Sequence, residues 1–165
     1  TEYAEAFYDS MLTTGAACGL VPCGAGSMGS LRIEKRFPIW GRDLGEDTTP
    51  IEAGLAWTVR PKASDYPGRA SIERQKLDGP TRRLVLLEFP EGAGVPEMGA
   101  PVMADQELIG KITSTAFGHS VGRALALAYL PSAMAVDGQK VSVSGVETVV
   151  RLAALYDPKS LRSRA

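Results

Sequence analysis

Glu34 is the side chain whose position in the sequence best suits ligand binding. It closes a Leu-Arg-Ile-Glu segment at 31–34 that continues a predicted helix, and an apolar Phe-Pro-Ile-Trp turn follows at 37–40. A carboxylate at a helix C-terminus opposes the helix dipole, so the position is unfavourable for an acid without a partner. The apolar turn can supply the wall of a pocket. The alternative is a solvent-exposed helix-end carboxylate paired with Lys35, Arg36 or Arg32.

Two arginines and a tryptophan are further binding candidates. Arg32 and Arg42 suit the bidentate recognition of ligand carboxylates by a guanidinium group. Their alternative is surface ion pairing with nearby acids, namely Asp43, Glu46 or Asp47. Trp57 can stack on an aromatic ligand, but a tryptophan on its predicted strand is more often part of the core, and we predict that position.

His119 is the only histidine, in a Phe-Gly-His-Ser stretch at 117–120. Histidine is a common acid–base group, but no serine or cysteine with the context of a nucleophile accompanies it. We interpret the stretch as a turn between two strands, and we predict no catalytic residue in the chain.

Composition and charge exclude several classes of function. The 165 residues carry a net charge of −1 and no basic stripe, which argues against nucleic-acid binding. The apolar runs are too short to span a membrane. Cys18 and Cys23 predict neither a metal site nor a disulfide framework, and we interpret them as reduced core thiols. With no visible signal peptide, these features predict a cytoplasmic globular protein.

The first half of the chain predicts helices joined by turns. Apolar periodicity and Gly-Pro punctuation indicate helices near 3–13, 25–35 and 69–77. Gly15 suits the left-handed position that ends the first helix. Thr49 and Glu52 form a capping box with proline between them at the first helical position, which predicts another helix. A strand is predicted at 56–59.

The pattern changes after residue 80. Short apolar runs, separated by turn residues, occur at 84–89, 100–103, 108–113, 124–130, 140–143 and 146–155. Strands at this spacing predict a small barrel or sandwich. The predicted boundary between the two parts lies near Gly79-Pro80.

These features resemble the C-terminal part of the glycine-cleavage T-protein (aminomethyltransferase) family. The resemblance rests on the Leu-Arg-Ile-Glu segment, the Trp-Gly-Arg-Asp turn at 40–43 and the Thr-Thr-Pro-Ile-Glu-Ala-Gly-Leu segment at 48–55. The match looks closest to the C-terminal region of dimethylglycine and sarcosine dehydrogenases, where a Glu-Lys pair is common. It implies an α+β protein: the end of a folate-binding α/β module at 1–79, followed by a small C-terminal antiparallel β-barrel at 80–165.

The resemblance implies tetrahydrofolate as the ligand. In the family, the glutamate that matches Glu34 accepts hydrogen bonds from the ring N–H and the exocyclic amine of the pterin. Two carboxylate oxygens suit such a planar pair of donors. Basic residues after the tryptophan segment and near the C-terminus also bind folate in the family, which implies contacts by Trp57, Arg60, Lys62 and Arg162. No metal site is implied, and the acid–base aspartate of the family has no match in this sequence.

Three functions are implied, of which the first is preferred. It is the tetrahydrofolate-binding C-terminal fragment of an FAD-dependent dimethylglycine or sarcosine dehydrogenase, with FAD bound only in a missing N-terminal part. The alternatives are the aminomethyltransferase of the glycine cleavage system and a non-enzymatic regulatory subunit of the same fold. The first helix carries an apolar face without a partner, formed by Phe7, Tyr8, Met11 and Leu12. We therefore expect the fragment to need that missing part or to self-associate, and to be inactive alone.

Overall fold

The structure, a computed structural model, describes residues 1–60 and 65–162. In these residues the helical part contains α1 at Ala4–Gly15, α2 at Ala25–Glu34 and α3 at Arg69–Asp78. Two short 3₁₀ turns, Ala16–Cys18 and Ala56–Thr58, lie between consecutive helices. The three helices therefore form where the apolar periodicity predicts them.

A closed antiparallel barrel follows α3. Its strands in the described residues are β1 at Arg82–Glu88, β2 at Pro101–Ala104, β3 at Glu107–Gly118, β4 at Arg123–Pro131, β5 at Lys140–Val143 and β6 at Val146–Arg151. Their order around the barrel is β1-β4-β3-β2-β5-β6, and closure leaves no unpaired edge. The predicted α+β class with an antiparallel β-barrel is confirmed. The boundary between 1–79 and 80–165 stays a prediction.

Strands β1 and β4 are buried on both faces along most of their length, which explains their nearly continuous apolar sequence. Successive side chains of a strand point to opposite faces. On one face, Val85 and Leu87 join the core inside the barrel. On the other, Leu84 and Leu86 pack in a second cluster with Ile33 of α2. This outer cluster holds α2 against the barrel wall and thereby places Glu34, the last residue of α2.

The segment after residue 55 contradicts the predicted strand. Backbone N–H groups of Thr58 and Val59 donate to the carbonyls of Leu55 and Ala56 at 2.9 and 3.2 Å, and these local bonds close a 3₁₀ turn. Trp57 lies on this turn and is 75 % exposed, so the predicted core position is wrong.

The predicted end of the first helix is also displaced. Gly15 keeps a right-handed conformation with φ −77°, and the left-handed residue is Gly19, with φ 74°. Gly15 is needed for space instead, because a Cβ there would lie 2.7 Å from the Cβ of Leu20. The interpretation of Cys18 and Cys23 as core thiols is wrong, since both are exposed on these connecting segments.

The capping box is present, but it caps one turn rather than a helix. The Glu52 N–H donates to Thr49 Oγ1 at 3.2 Å, and the Thr49 N–H donates to Glu52 Oε2 at 3.1 Å. The Ala53 N–H then closes a single turn onto the Thr49 carbonyl at 3.1 Å. Gly54 follows with φ 73°, a left-handed conformation that ends the turn.

Replacing Thr49 with alanine is expected to lower the free energy of unfolding by about 0.5–2 kcal/mol. The substitution removes the cap and also a bond from the Thr49 hydroxyl to Gln75 Oε1 of α3, at 2.7 Å. Urea denaturation measures the change. Thr14→Ala, at an exposed threonine of α1, is the matched control. Equal midpoints for the two variants would show that the cap contributes nothing.

Candidate functional site

Glu34 faces the barrel and is completely buried. The preceding turn of α2 is fixed in two ways: Ile33 packs in the outer apolar cluster, and Ser30 Oγ donates to the carbonyl of Phe117 in β3 at 2.6 Å. These contacts direct the Glu34 side chain toward the turn at 119–122, which joins β3 to β4. The alternative of a solvent-exposed helix-end carboxylate is therefore wrong.

The two oxygens of the Glu34 carboxylate have different surroundings. Oε1 accepts a hydrogen bond from the backbone N–H of Ser120 at 2.6 Å. Oε2 is buried and has no hydrogen-bond partner among the described residues. Leaving a buried acceptor without a partner is unfavourable, and such atoms are uncommon in native proteins. A carboxylate oxygen in this state is suited to accept a bond from an external donor.

Arg32 forms a buried ion pair with Asp43 instead of a surface pair. Arg32 Nη1 lies 2.8 Å from Asp43 Oδ2, and the two side chains are 12 % and 0 % exposed. Arg32 Nη2 donates to Ser114 Oγ of β3 at 2.7 Å, while Asp43 Oδ1 accepts from Thr113 Oγ1 at 2.5 Å. The pair therefore ties α2 and the loop after it to β3. Arg32 is occupied by these contacts, and Arg42 is exposed.

Tyr129 of β4 completes this network. Its hydroxyl donates to the backbone carbonyl of Asp43 at 2.9 Å, and the guanidinium of Arg82 lies 4.9 Å from the centre of its ring. Burial raises the pKa of Tyr129 to about 12. A phenol is protonated at neutral pH even without this shift, and the raised pKa extends the range in which it donates to the loop into more alkaline solution.

Lys35, the residue after α2, anchors the C-terminal segment of the chain. Its Nζ donates to the carbonyl of Asp157 at 2.5 Å and lies 3.2 Å from Asp157 Oδ2. It also donates to Ser160 Oγ at 3.1 Å. The segment at 156–160 is thus held against the end of α2.

This segment links Arg162 to the end of α2 through Tyr156. The Tyr156 N–H donates to the backbone carbonyl of Glu34 at 3.3 Å. The Arg162 guanidinium donates to the Tyr156 hydroxyl and lies 5.7 Å from the centre of its ring. Arg162 is therefore linked to Glu34 through a single intervening residue.

The other residues implied by the resemblance are not joined to Glu34. Trp57 and Arg60 are exposed, and in the described residues neither forms a hydrogen bond or an ion pair with Glu34. Lys62 lies outside the described residues. Of the two described basic residues expected to bind folate, Arg60 and Arg162, only Arg162 is joined to the end of α2, through Tyr156.

The apolar turn at 37–40 does not form the predicted wall around Glu34. Phe37 lines a groove of about 600 Å³ along α2, together with Met28 and Leu31. Glu34 does not line this groove, because its side chain faces the barrel. Trp40 is 68 % exposed, so the turn at 37–40 does not enclose the carboxylate in this arrangement.

Three residues that shape the site, Ser120, Gly118 and Asp43, were not predicted from the sequence. Ser120 acts through its backbone N–H, which residue type cannot reveal. A glycine such as Gly118 can mark a place where another group approaches the backbone closely, but the sequence does not identify that group. Asp43 was expected only as a surface partner.

In the part of the chain that the structure describes, no helix is long and apolar enough to cross a membrane, and no group of three or more His, Cys, Asp or Glu could hold a metal.

Comparison with protein families gives two matches. The GCVT N-terminal domain matches residues 1–63, and the glycine cleavage T-protein C-terminal barrel domain matches residues 82–157. An aminomethyltransferase of Symbiobacterium thermophilum is 37 % identical over 143 residues, which are 86 % of this chain and 38 % of the relative. One of Bacillus cereus is 33 % identical over 165 residues, 99 % of this chain and 45 % of the relative. The chain thus spans about two fifths of the length of these relatives.

A solved structure has the same fold. The crystal structure of glycine cleavage system aminomethyltransferase T from Bartonella henselae matches with a TM-score of 0.81 and 28 % identity, over 94 % of this chain and 44 % of that one. All three relatives carry the aminomethyltransferase name. The similarity therefore favours the aminomethyltransferase alternative over the dehydrogenase that the sequence analysis preferred. It gives no support for FAD.

Proposed function

The chain belongs to the glycine cleavage T-protein family, and we propose that it forms the pterin-binding helix and the C-terminal barrel of an aminomethyltransferase. The family acts with tetrahydrofolate. In the proposed reaction, the one-carbon unit of a lipoyl-bound aminomethyl group passes to tetrahydrofolate. The products are 5,10-methylenetetrahydrofolate, ammonia and the reduced lipoyl group.

The observation that carries this proposal is the unpaired Oε2 of Glu34. In the described residues one carboxylate oxygen is bound and the other lacks a donor, although both are buried. A pterin presents a ring N–H and an exocyclic amine on one edge, and either group can donate to a carboxylate oxygen. A charge-assisted bond of this kind is among the stronger hydrogen bonds in proteins. Because Glu34 is completely buried, the side chains that cover it must move when the ligand binds.

The proposed contribution of this chain is placement of the folate. Holding the folate nitrogens beside the one-carbon donor replaces a dilute bimolecular encounter by a local one. A closed site also limits loss of the one-carbon unit to water as formaldehyde. We assign no acid–base residue to this chain, since no aspartate in it matches the family's position.

Basic residues around the site would bind the acidic end of folate. Arg162 is suited to the glutamyl carboxylates because its segment is fixed at the end of α2. On the basis of the family resemblance, we also propose Trp57, Arg60 and Lys62 as folate contacts. For Trp57 and Arg60, which are exposed, this requires the segment after residue 55 to close over the ligand.

A transfer assay tests the proposal. The product of the complete open reading frame is incubated with tetrahydrofolate and either an aminomethyl-loaded lipoyl protein or sarcosine and dimethylglycine with added flavin. We expect methylenetetrahydrofolate and ammonia only with the aminomethyl donor, and no turnover by the 165-residue chain alone. Product from the methylamines but not from the aminomethyl donor would establish a dehydrogenase instead. Product from neither donor would favour a non-enzymatic subunit.

A further inference from the structure

We propose that the β3–β4 turn is a positioning element for Glu34, acting through Gly118 and the Ser120 N–H so that the carboxylate, with its unpaired Oε2, is held in the orientation that binds the ligand. This inference rests on the proposed function, in which Glu34 binds the pterin of tetrahydrofolate. The barrel then takes part in ligand binding through a backbone N–H of its β3–β4 turn.

The turn holds Oε1 in a fixed place. The Ser120 N–H donates to Oε1 at 2.6 Å. The turn itself is closed by two backbone bonds to the Gly118 carbonyl, from Val121 at 3.2 Å and from Gly122 at 2.7 Å. Gly122 has φ 75°, a conformation that glycine adopts without strain. A donor on such a closed turn has little freedom, so the carboxylate that it binds is also held.

Gly118 makes room for the carboxylate. It is buried at the end of β3 and pairs with Arg123 across the hairpin. A Cβ at this position would lie 3.2 Å from Glu34 Cγ and 3.3 Å from Oε1, and 2.8 Å from Leu125 Cδ1. Its backbone is not in the left-handed region, so the reason for glycine here is space. A methyl group would push Leu125 aside and displace the carboxylate.

The two contacts together define the orientation of the carboxylate. Oε1 is bound by the turn, and Oε2 has no partner in the described residues. The turn therefore sets the direction in which the carboxylate faces the pterin. Oε2 is free to accept one pterin donor, and Oε1 can accept the other beside the Ser120 N–H, since each carboxylate oxygen has two lone pairs. A small displacement of the carboxylate misaligns the bond to the ligand, and hydrogen bonds weaken steeply with poor alignment.

The test is a series of variants in the complete protein. Gly118→Ala is expected to weaken tetrahydrofolate binding roughly tenfold or more, the loss for one misaligned charge-assisted bond. Gly94→Ala is the matched control, because Gly94 is exposed and a Cβ there meets nothing within 4 Å. Calorimetric titration measures the affinities. Gly118→Ala with Leu125→Val removes the clash with Leu125 Cδ1 and should keep the binding defect. Leu125→Val alone, which shortens a side chain of the outer cluster, is the reference for the double variant, and the double variant should bind more weakly than this reference.

A second measurement needs no folate. The Ser120 amide proton, in a short bond to a carboxylate, should resonate downfield and move upfield in Gly118→Ala and Glu34→Gln, but not in Gly94→Ala. An unchanged Ser120 resonance in Glu34→Gln would overturn the inference even if Gly118→Ala does not fold. So would wild-type affinity in Gly118→Ala, or recovery of affinity on adding Leu125→Val, which would assign the defect to core packing. If the wild-type protein binds no tetrahydrofolate, the proposed function fails as well. If Glu34→Gln loses affinity and Gly118→Ala does not, only the positioning role fails.

Discussion

Replacing Asp43 with alanine should lower the free energy of unfolding by about 3–5 kcal/mol, because it leaves the buried Arg32 guanidinium without its counter-charge. Asp43 also accepts hydrogen bonds from the Thr113 hydroxyl and from the Ile39 N–H, the latter at 3.0 Å. All three donors lose a partner inside the protein at once. The loop after α2 and strand β3 would then no longer be joined by this side chain.

Urea denaturation of Asp43→Ala measures this loss. The matched control is Glu73→Ala, which breaks the exposed ion pair between Arg69 and Glu73 of α3, at 2.7 Å. Exposed pairs of this spacing contribute about 0.3–0.5 kcal/mol. A loss for Asp43→Ala no larger than that for Glu73→Ala would mean that the buried pair does not hold the loop.

The fold could largely be predicted because its signals are local. The six apolar runs after residue 80 correspond to the six strands, and turn residues separate them. The helix at 69–78 is delimited by Gly68 and Gly79, which both have positive φ. The strand predicted at 56–59 failed for a non-local reason: a strand forms only with a partner, and the sequence near Trp57 does not reveal that the barrel closes without it.

The site could be predicted only in part. The position of Glu34 at a helix C-terminus marked it as a candidate, but spacing alone favoured a solvent-exposed carboxylate, and the resemblance was needed to assign it a ligand. Its partners were not found, because Ser120 acts through its backbone and is 86 residues away along the chain. The Arg32–Asp43 pair was expected at the surface, since spacing alone does not report burial. Such relations arise from the packing of α2 on the barrel, which no short motif encodes.

Glu34→Gln is expected to weaken tetrahydrofolate binding by roughly 10- to 100-fold, from the loss of a charge-assisted bond of about 1.5–3 kcal/mol. Glutamine can still accept the Ser120 N–H through its carbonyl oxygen, but its NH₂ group would face a donor of the pterin. The fold should not be weakened, because the substitution removes a buried charge whose second oxygen has no partner in the described residues. Loss of binding without loss of stability is typical of a functional residue.

A purely structural glutamate predicts the opposite pair of results. If Glu34 served only to join α2 to the β3–β4 turn, Glu34→Gln would lower stability and leave folate binding unchanged. Glu147→Gln is the matched control, because it makes the same chemical change at an exposed ion pair with Lys140. It should alter neither quantity.

The most direct measurement is calorimetric titration of tetrahydrofolate into the product of the complete open reading frame, as wild type, Glu34→Gln and Glu147→Gln, with a urea denaturation of each. We predict that wild type and Glu147→Gln bind with the same affinity, and that Glu34→Gln binds at least tenfold more weakly while its denaturation midpoint is unchanged or raised. Equal affinities for wild type and Glu34→Gln would contradict the assignment of Glu34 as the pterin-binding residue.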